Sequence, residues 1–263
     1  MQVSESLGFT RGLGALLLLT VSAHTTPAQR ADSARSSRVI GGGVTVTNNG
    51  ISLLPTFTLG KPAAIFDLTL GGRALRFEPQ FRFALEGKPW AFIFWWRYRL
   101  LRAGRFSVNV GAHPAVLFKT APSPTEADSA QTIVAQRYVA GELSPRYALG
   151  NGVSVGTYYL YSHGFDPGGT SNTHFVTANA TFANLRLTER LHLTVSPQVY
   201  YLSMDEQDGY YTTATVSLHI RDFPLSVQSI MNHAITTTIV AEDDFVWNVS
   251  LIYSFKREYE RKS

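Results

Sequence analysis

Apolar and polar side chains alternate residue by residue from Arg73 to Leu101, and a period of two marks strands where a helix face would repeat every three to four. Phe77, Pro79, Phe81 and Phe83 share one side of the first run, with Arg76, Glu78, Gln80 and Arg82 on the other. The next run repeats the division, with Trp90, Phe92, Phe94, Trp96 and Tyr98 against Ala91, Ile93, Trp95, Arg97 and Arg99. Near the end, Tyr210, Thr212, Ala214, Val216, Leu218 and Ile220 oppose Tyr211, Thr213, Thr215, Ser217, His219 and Arg221. Trp247, Val249, Leu251, Tyr253 and Phe255 likewise oppose Val246, Asn248, Ser250, Ile252 and Ser254. The pattern predicts twelve strands, at 51–59, 63–70, 73–84, 89–101, 105–118, 131–148, 153–163, 171–185, 190–203, 210–221, 224–235 and 244–255, with 39–46 a candidate for one more.

The connections carry a second pattern. Odd-to-even links such as "TAPSPTEADSAQ" and "GFDPGGTS" are long or polar, whereas even-to-odd links such as "GG", "RAG", "LGNG" and "DF" are tight. Long loops on one rim, tight turns and both termini on the other, are the layout of an up-and-down barrel. If "LEGK" closes a four-residue loop, Phe77 meets Trp96, Phe81 meets Phe92 and Phe83 meets Trp90, so like faces like across the hairpin. With Gly71 and Gly72 as a two-residue turn, Asp67 falls opposite Arg76.

Alternation does not say which face is wet. A soluble sandwich or ligand-binding barrel would turn the aromatics inward and the arginines outward; a bilayer-spanning barrel inverts this. Hydrocarbon offers no partner to an open sheet edge, so only a closed barrel satisfies the backbone there. An arginine facing lipid at mid-depth costs about 2 to 4 kcal/mol. Arg76, Arg82, Arg97 and Arg99 are therefore expected in the lumen, and Phe77, Phe81, Phe83, Trp90, Phe92, Phe94, Trp96 and Tyr98 on the lipid. Pro55, Pro79, Pro114, Pro145 and Pro197 fall inside predicted strands on the lipid side and imply bulges there. Arg137 has lipid parity and is expected near the outer rim, where the cost is small.

Composition bears on the choice. Residues 1–28 read as an export leader: Arg11, the apolar run "GLGALLLLTVSA", and small residues before a cut after Ala28 or Ala23. That run is too short for a spanning helix, which needs about 20 apolar residues. With no cysteine in 263 residues, the exported chain has neither disulfide staples nor the attachment point of a lipid anchor. Residues 29–50, including "QRADSARSSR", read as a polar N-terminal segment, 51–255 as the barrel and 256–263, "KREYERKS", as a basic tail. A formal charge of +4 is too small an excess to argue for nucleic acid.

With the leader, twelve amphipathic strands and a last strand of alternating aromatics ending at Phe255, the chain resembles the bacterial outer-membrane β-barrel superfamily over about residues 50 to 255. The resemblance implies an all-β, closed, antiparallel up-and-down transmembrane barrel in a Gram-negative outer membrane. Its partners would be outer-membrane lipid and the barrel-assembly machinery, which reads the terminal aromatic.

Three kinds of chemistry remain open. By parity the lumen carries Asp67, Arg76, Glu78, Arg82, Arg97, Arg99, His113, Glu142 and Arg146, five arginines against three acids. That set favours small anionic solutes if the interior is water-filled, or plugs it if the charges pair across. A lipid-modifying enzyme is the alternative. Parity puts Tyr161, His163, Asn172, His174 and Ser203 outward near the loop rim, and pairing 185 with 190 would set Asn172 beside Ser203 and His174 beside Tyr201 for acyl transfer. The His-x-Ser-Asn strand motif of lipid A deacylases is absent. Third, Asp205, Glu206 and Asp208, with Glu242, Asp243 and Asp244, could attract calcium or the cations that bridge lipopolysaccharide. Neither zinc spacing nor a phosphate-cradling glycine loop occurs, so no cofactor or resident metal is expected.

Overall fold

The computed structural model describes residues 37–122, 131–241 and 243–260. The expected leader lies outside them, as does Glu242. Twelve described strands close on themselves: β1 (Ser37–Thr47), β2 (Ala63–Gly71), β3 (Leu75–Ala84), β4 (Pro89–Ala103), β5 (Phe106–Pro122), β6 (Gln131–Gly150), β7 (Val153–Gly164), β8 (Asn172–Arg186), β9 (Leu191–Met204), β10 (Gln207–Ile220), β11 (Leu225–Thr237) and β12 (Phe245–Glu260). Each pairs antiparallel with its sequence neighbours, and β1 pairs with β12, so no edge is left open. Among the described residues no helix is long and apolar enough to cross a membrane, which says nothing about crossing by strands.

The first strand is not where the pattern put it. Residues 51–59 do not form a strand; they belong to the β1–β2 loop and contain a 3-10 turn, Pro55–Phe57. Residues 37–47 take their place in the wall. The tail is also shorter than expected, because 256–260 continue β12, and Tyr259 faces outward against Arg38 of β1. Both differences have one cause. Gly41, Gly42 and Gly43 carry no side chain to display alternation, yet they let β1 slot between β2 and β12. A Cβ on Gly42 would strike the Asp67 carbonyl and lie 3.0 Å from the Phe255 ring.

Outward positions are apolar. Trp96 and Trp247 are about half exposed (52% and 51%), as are Leu251 and Tyr253, an apolar outer band of the kind a lipid-facing barrel presents. Phe81 packs on Phe92 and Phe94, and Phe92 on Phe118, with centroids 5.0–5.8 Å apart. The buried residues instead line the interior: Trp95, Leu160, Phe175, Tyr200, Leu202 and Tyr211 form one cluster, and Trp90, Ala91, Leu117 and Tyr138 another.

The expected proline bulges are absent. Pro79, Pro114, Pro145 and Pro197 each keep their pairing on one side, with Phe94, Val139, Val108 and Ala214. On the other side the assigned ladder skips the proline: β2–β3 jumps from Asp67↔Gln80 to Leu70↔Phe77, and β6–β7 from Leu143↔Tyr159 to Arg146↔Gly156. A missing N–H interrupts one ladder without inserting a residue. The bulges lie elsewhere, among them Arg82/Phe83, and that one moves a tryptophan.

The rims differ as expected in part. Turns at 104–105 and 151–152 are tight and share the rim with both ends of the described barrel, and the loops at 48–62 and 165–171 lie on the opposite rim. The β9–β10 link on that loop rim is only Asp205 and Glu206.

Candidate functional site: the barrel lumen

The interior has two unlike walls. On β3 to β6, Arg97 is the hub: its Nη1 donates to Glu78 at 2.5 Å and its Nε to Glu142 at 2.7 Å. Tyr158 donates to the second Glu142 oxygen at 2.8 Å, and the guanidinium lies 4.2 Å from the Trp95 ring. Arg76 sits across from Arg97, two like charges side by side, and reaches Glu78 only at 4.0 Å. Glu142, with 3% of its side chain exposed, is tolerable inside because it has two partners.

Nearer the loop rim, Arg82 donates to Gln80 at 2.9 Å and lies over Trp90 at 5.2 Å. Arg82 Nε, Asp67 Oδ1 and His113 Nδ1 are buried with no protein partner. His113 packs edge-on to Trp95. On β8 to β12 the hydrogen-bonded polar groups are mostly amides and hydroxyls, with His192 toward the tight rim. Tyr200 donates to Asn232 at 2.9 Å, Thr213 bonds the same amide oxygen, and Gln228 donates to Ser217 at 3.0 Å.

The β1–β2 loop closes the loop-rim mouth. Leu53, Leu54 and Phe57 pack against the buried cluster, Trp90 donates its indole N–H to the Phe57 carbonyl at 2.9 Å, and the Tyr200 hydroxyl, its one proton shared with Asn232, faces the Leu53 carbonyl at 3.1 Å. The Phe57 ring meets Tyr138 edge-on at 5.2 Å. Beneath lies a cavity of about 550 Å³, lined by Arg82, Trp90, Trp95, Arg97, His113 and Tyr158 among others. A second of about 400 Å³ shares Gln80 and Arg82 with it. A third of about 310 Å³, near the tight rim, shares Arg97, Ser144 and Tyr158. Arg82 thus lines both the first and second cavities, and Arg97 both the first and third.

Of the residues expected in the lumen, Arg76, Glu78, Arg97 and Glu142 come together, and Arg99 lines the same tight-rim cavity. Arg82, Asp67 and His113 form the upper group, while Arg146 stands apart, held by Ser154 at 2.9 Å. Asp67 lies opposite Gln80 rather than Arg76, because Gly71 pairs with Arg76 and residues 72–75 make a longer turn than expected. Among the aromatics, Phe77, Phe81, Phe83, Phe92, Phe94, Trp96 and Tyr98 carry the outward face, and Phe77 meets Trp96 and Phe81 meets Phe92 as paired. Trp90 is the correction. Phe83 pairs with Pro89, Trp90 becomes the extra residue of the bulge, and its side chain turns inward to 2% exposure. Tyr158 was legible by parity opposite Tyr159; the inserted loop had no such signal.

The outward serine and histidine face each other across β8 and β9. The register sets His174 directly opposite Ser203 and Asn172 opposite His163, because β8 and β9 pair two residues out of the expected alignment. His174 Nδ1 lies 3.0 Å from the Tyr159 hydroxyl, and Tyr161 donates to Asn172 at 2.8 Å. Among the described residues no hydrogen bond joins Ser203 to His174, and Asn172 is bound away from the serine. Asp205 caps the neighbouring loop, accepting the N–H of Ser171 at 3.0 Å and of Asn172 at 2.7 Å, and Asp208 accepts from Tyr201 at 3.0 Å. Arg137 faces outward near the loop rim, as expected, and binds Asp166 at 2.7 Å. That pairing holds the Asp166 carboxyl below its ordinary range.

No protein-family model matches the chain, and no curated protein sequence does either. Among solved structures it is similar to a KdgM porin in complex with disordered oligogalacturonate, at TM-score 0.52 and 11% identity, over 82% of this chain and 99% of that one. An outer membrane channel from Pseudomonas putida F1 follows at 0.46 and 11% identity, over 84% and 95%. The likeness to the first is one of fold, a closed antiparallel β-barrel.

Proposed function

We propose that the protein sits in an outer membrane and passes small anionic solutes through its lumen, with the β1–β2 loop as the closure of the outer mouth. The observation that carries the reading is that Arg82 and Arg97 each line two of the interior cavities in common. A guanidinium lining a passage lowers the barrier for an anion and raises it for a cation. The buried, unpartnered polar atoms of Asp67, Arg82 and His113 support a wet interior, since such atoms are costly in a dry one. The neighbouring porin's description, with an oligogalacturonate, is in keeping with an anionic cargo.

The loop is held by two side-chain hydrogen bonds to carbonyls, at Phe57 and Leu53, and by apolar contacts. Loss of these would leave the barrel wall intact. Single-channel recording in planar bilayers under a KCl gradient tests the reading. The expected result is a reversal potential toward chloride, moved toward potassium by Arg97→Glu with Arg99→Glu. A correctly folded protein that shows no conductance, even with Leu53, Leu54 and Phe57 replaced by serine, would overturn it.

A further inference from the structure

Charge is sorted between the two ends of the barrel. The tight rim carries Arg102, Arg105, Arg186, Arg190 and Arg221, all exposed, with Glu189 and Asp222 beside them. The loop rim carries Asp166, Asp205, Glu206, Asp208, Asp243 and Asp244, with Glu86, against Lys61, Lys88 and Arg137. The potential therefore becomes more positive toward the tight rim, and anions concentrate there.

The 310 Å³ cavity opens at that end. Arg73, Arg76, Arg97 and Arg99 line it against two carboxylates, Glu78 and Glu142. Both carboxylates are engaged by Arg97, at 2.5 and 2.7 Å. Arg76 has only the 4.0 Å approach to Glu78, and Arg73 and Arg99 have no ion pair among the described residues. Four guanidiniums against two acids leave a local surplus of two positive charges in one concavity, with Asn109 and Ser144 as neutral hydrogen-bonding groups on its wall. Like charges held this close repel unless something negative lies between them. The forked donors of arginine fit the paired oxygens of phosphate or carboxylate.

We propose that this vestibule is a binding site for a small dianionic oxyanion: inorganic phosphate, or a phosphoryl or dicarboxylate group of similar size. Arg73, Arg76 and Arg99 supply the charge, while Arg97, fixed by its two acids, forms the floor. The proposal names a solute class for the passage described above and rests on that reading for its physiological meaning. The binding itself does not depend on an open outer mouth, because the loop closes the opposite end.

Isothermal titration of detergent-folded protein with inorganic phosphate tests the site, with chloride at equal ionic strength as the blank. Saturable binding is expected, weakened by about tenfold for each guanidinium removed in Arg73→Gln and Arg99→Gln. Arg221→Gln, on the same rim but outside the cavity, should leave the affinity within about twofold. Heat-modifiable gel migration verifies that each variant is folded. Equal weakening by Arg221→Gln would overturn the proposal in favour of diffuse rim attraction, and no saturable heat would overturn it outright. Phosphate binding by a protein that does not conduct would end the passage reading and leave the site standing; conduction without phosphate binding would do the reverse.

Discussion

The lumen wall of β3 to β6 and that of β8 to β12 enclose the same space by opposite means. The first is built of charges that neutralise one another at short range, Arg97 between Glu78 and Glu142. The second is built of neutral groups, Tyr200, Thr213 and Asn232 sharing one amide oxygen. A charge inside a barrel demands a partner, so the first wall is rigid in chemistry and intolerant of deletion. A hydroxyl can exchange a protein partner for water at little cost, so the second wall is permissive. The wall that would discriminate between solutes in the proposed passage is the one that the fold can least afford to lose.

Substitutions should expose that difference, the charged wall first. Arg97→Leu strands the buried Glu142 carboxylate and is expected to destabilise the barrel by about 3 to 5 kcal/mol; urea unfolding in lipid vesicles, followed by gel migration, reads the shift. Trp90→Ala removes a buried indole, its bond to the Phe57 carbonyl and the platform under Arg82, for about 3 kcal/mol. It should also lengthen the open time of any channel, whereas Arg97→Leu should alter ion preference. On the permissive wall, Tyr200→Phe loses the bonds to Asn232 and to the Leu53 carbonyl and is expected to cost only about 1 kcal/mol. A larger loss there than at Arg97 would refute the contrast.

The smallest effect belongs to the outer pair, Arg137 with Asp166. The folded carboxyl titrates below its ordinary value of 3.8. The unfolded chain therefore takes up the proton first on acidification, and the pair's contribution is present above that value and lost as pH falls through the folded one. The difference in unfolding midpoint between wild type and Asp166→Asn should be slight at neutral pH and vanish in strong acid.

Much of this was legible in the sequence, for reasons that also explain the failures. Where a strand has lipid on one side and water on the other, every residue reports its side, which is why the faces of β3 and most of β4 follow from alternation alone. Residues 51–59 mimic that alternation because their apolar side chains face inward in a loop: Leu53, Leu54 and Phe57 bury against other lumen residues. Gly41 to Gly43 report nothing, since they have no side chains to sort. Trp90 misleads because a bulge changes parity, and its inward turn is rewarded by partners distant in the chain, among them Phe57, Leu117 and Tyr138. The lumen charges were placed by parity, but their partners depended on turn length, so the Arg97 hub emerged only with the register.

The run Gly41–Gly42–Gly43 has one more effect, on the order in which the sheet comes apart. Where β1 meets β12 at these positions, the contact from β1 is all main chain, sheltered on the outside by the Phe255 ring over Gly42. Cooperative zippers part first where fewest side chains interlock. The amides of this stretch should be the earliest among the strand residues to take up deuterium from solvent, making the join between first and last strands the barrel's own line of weakness.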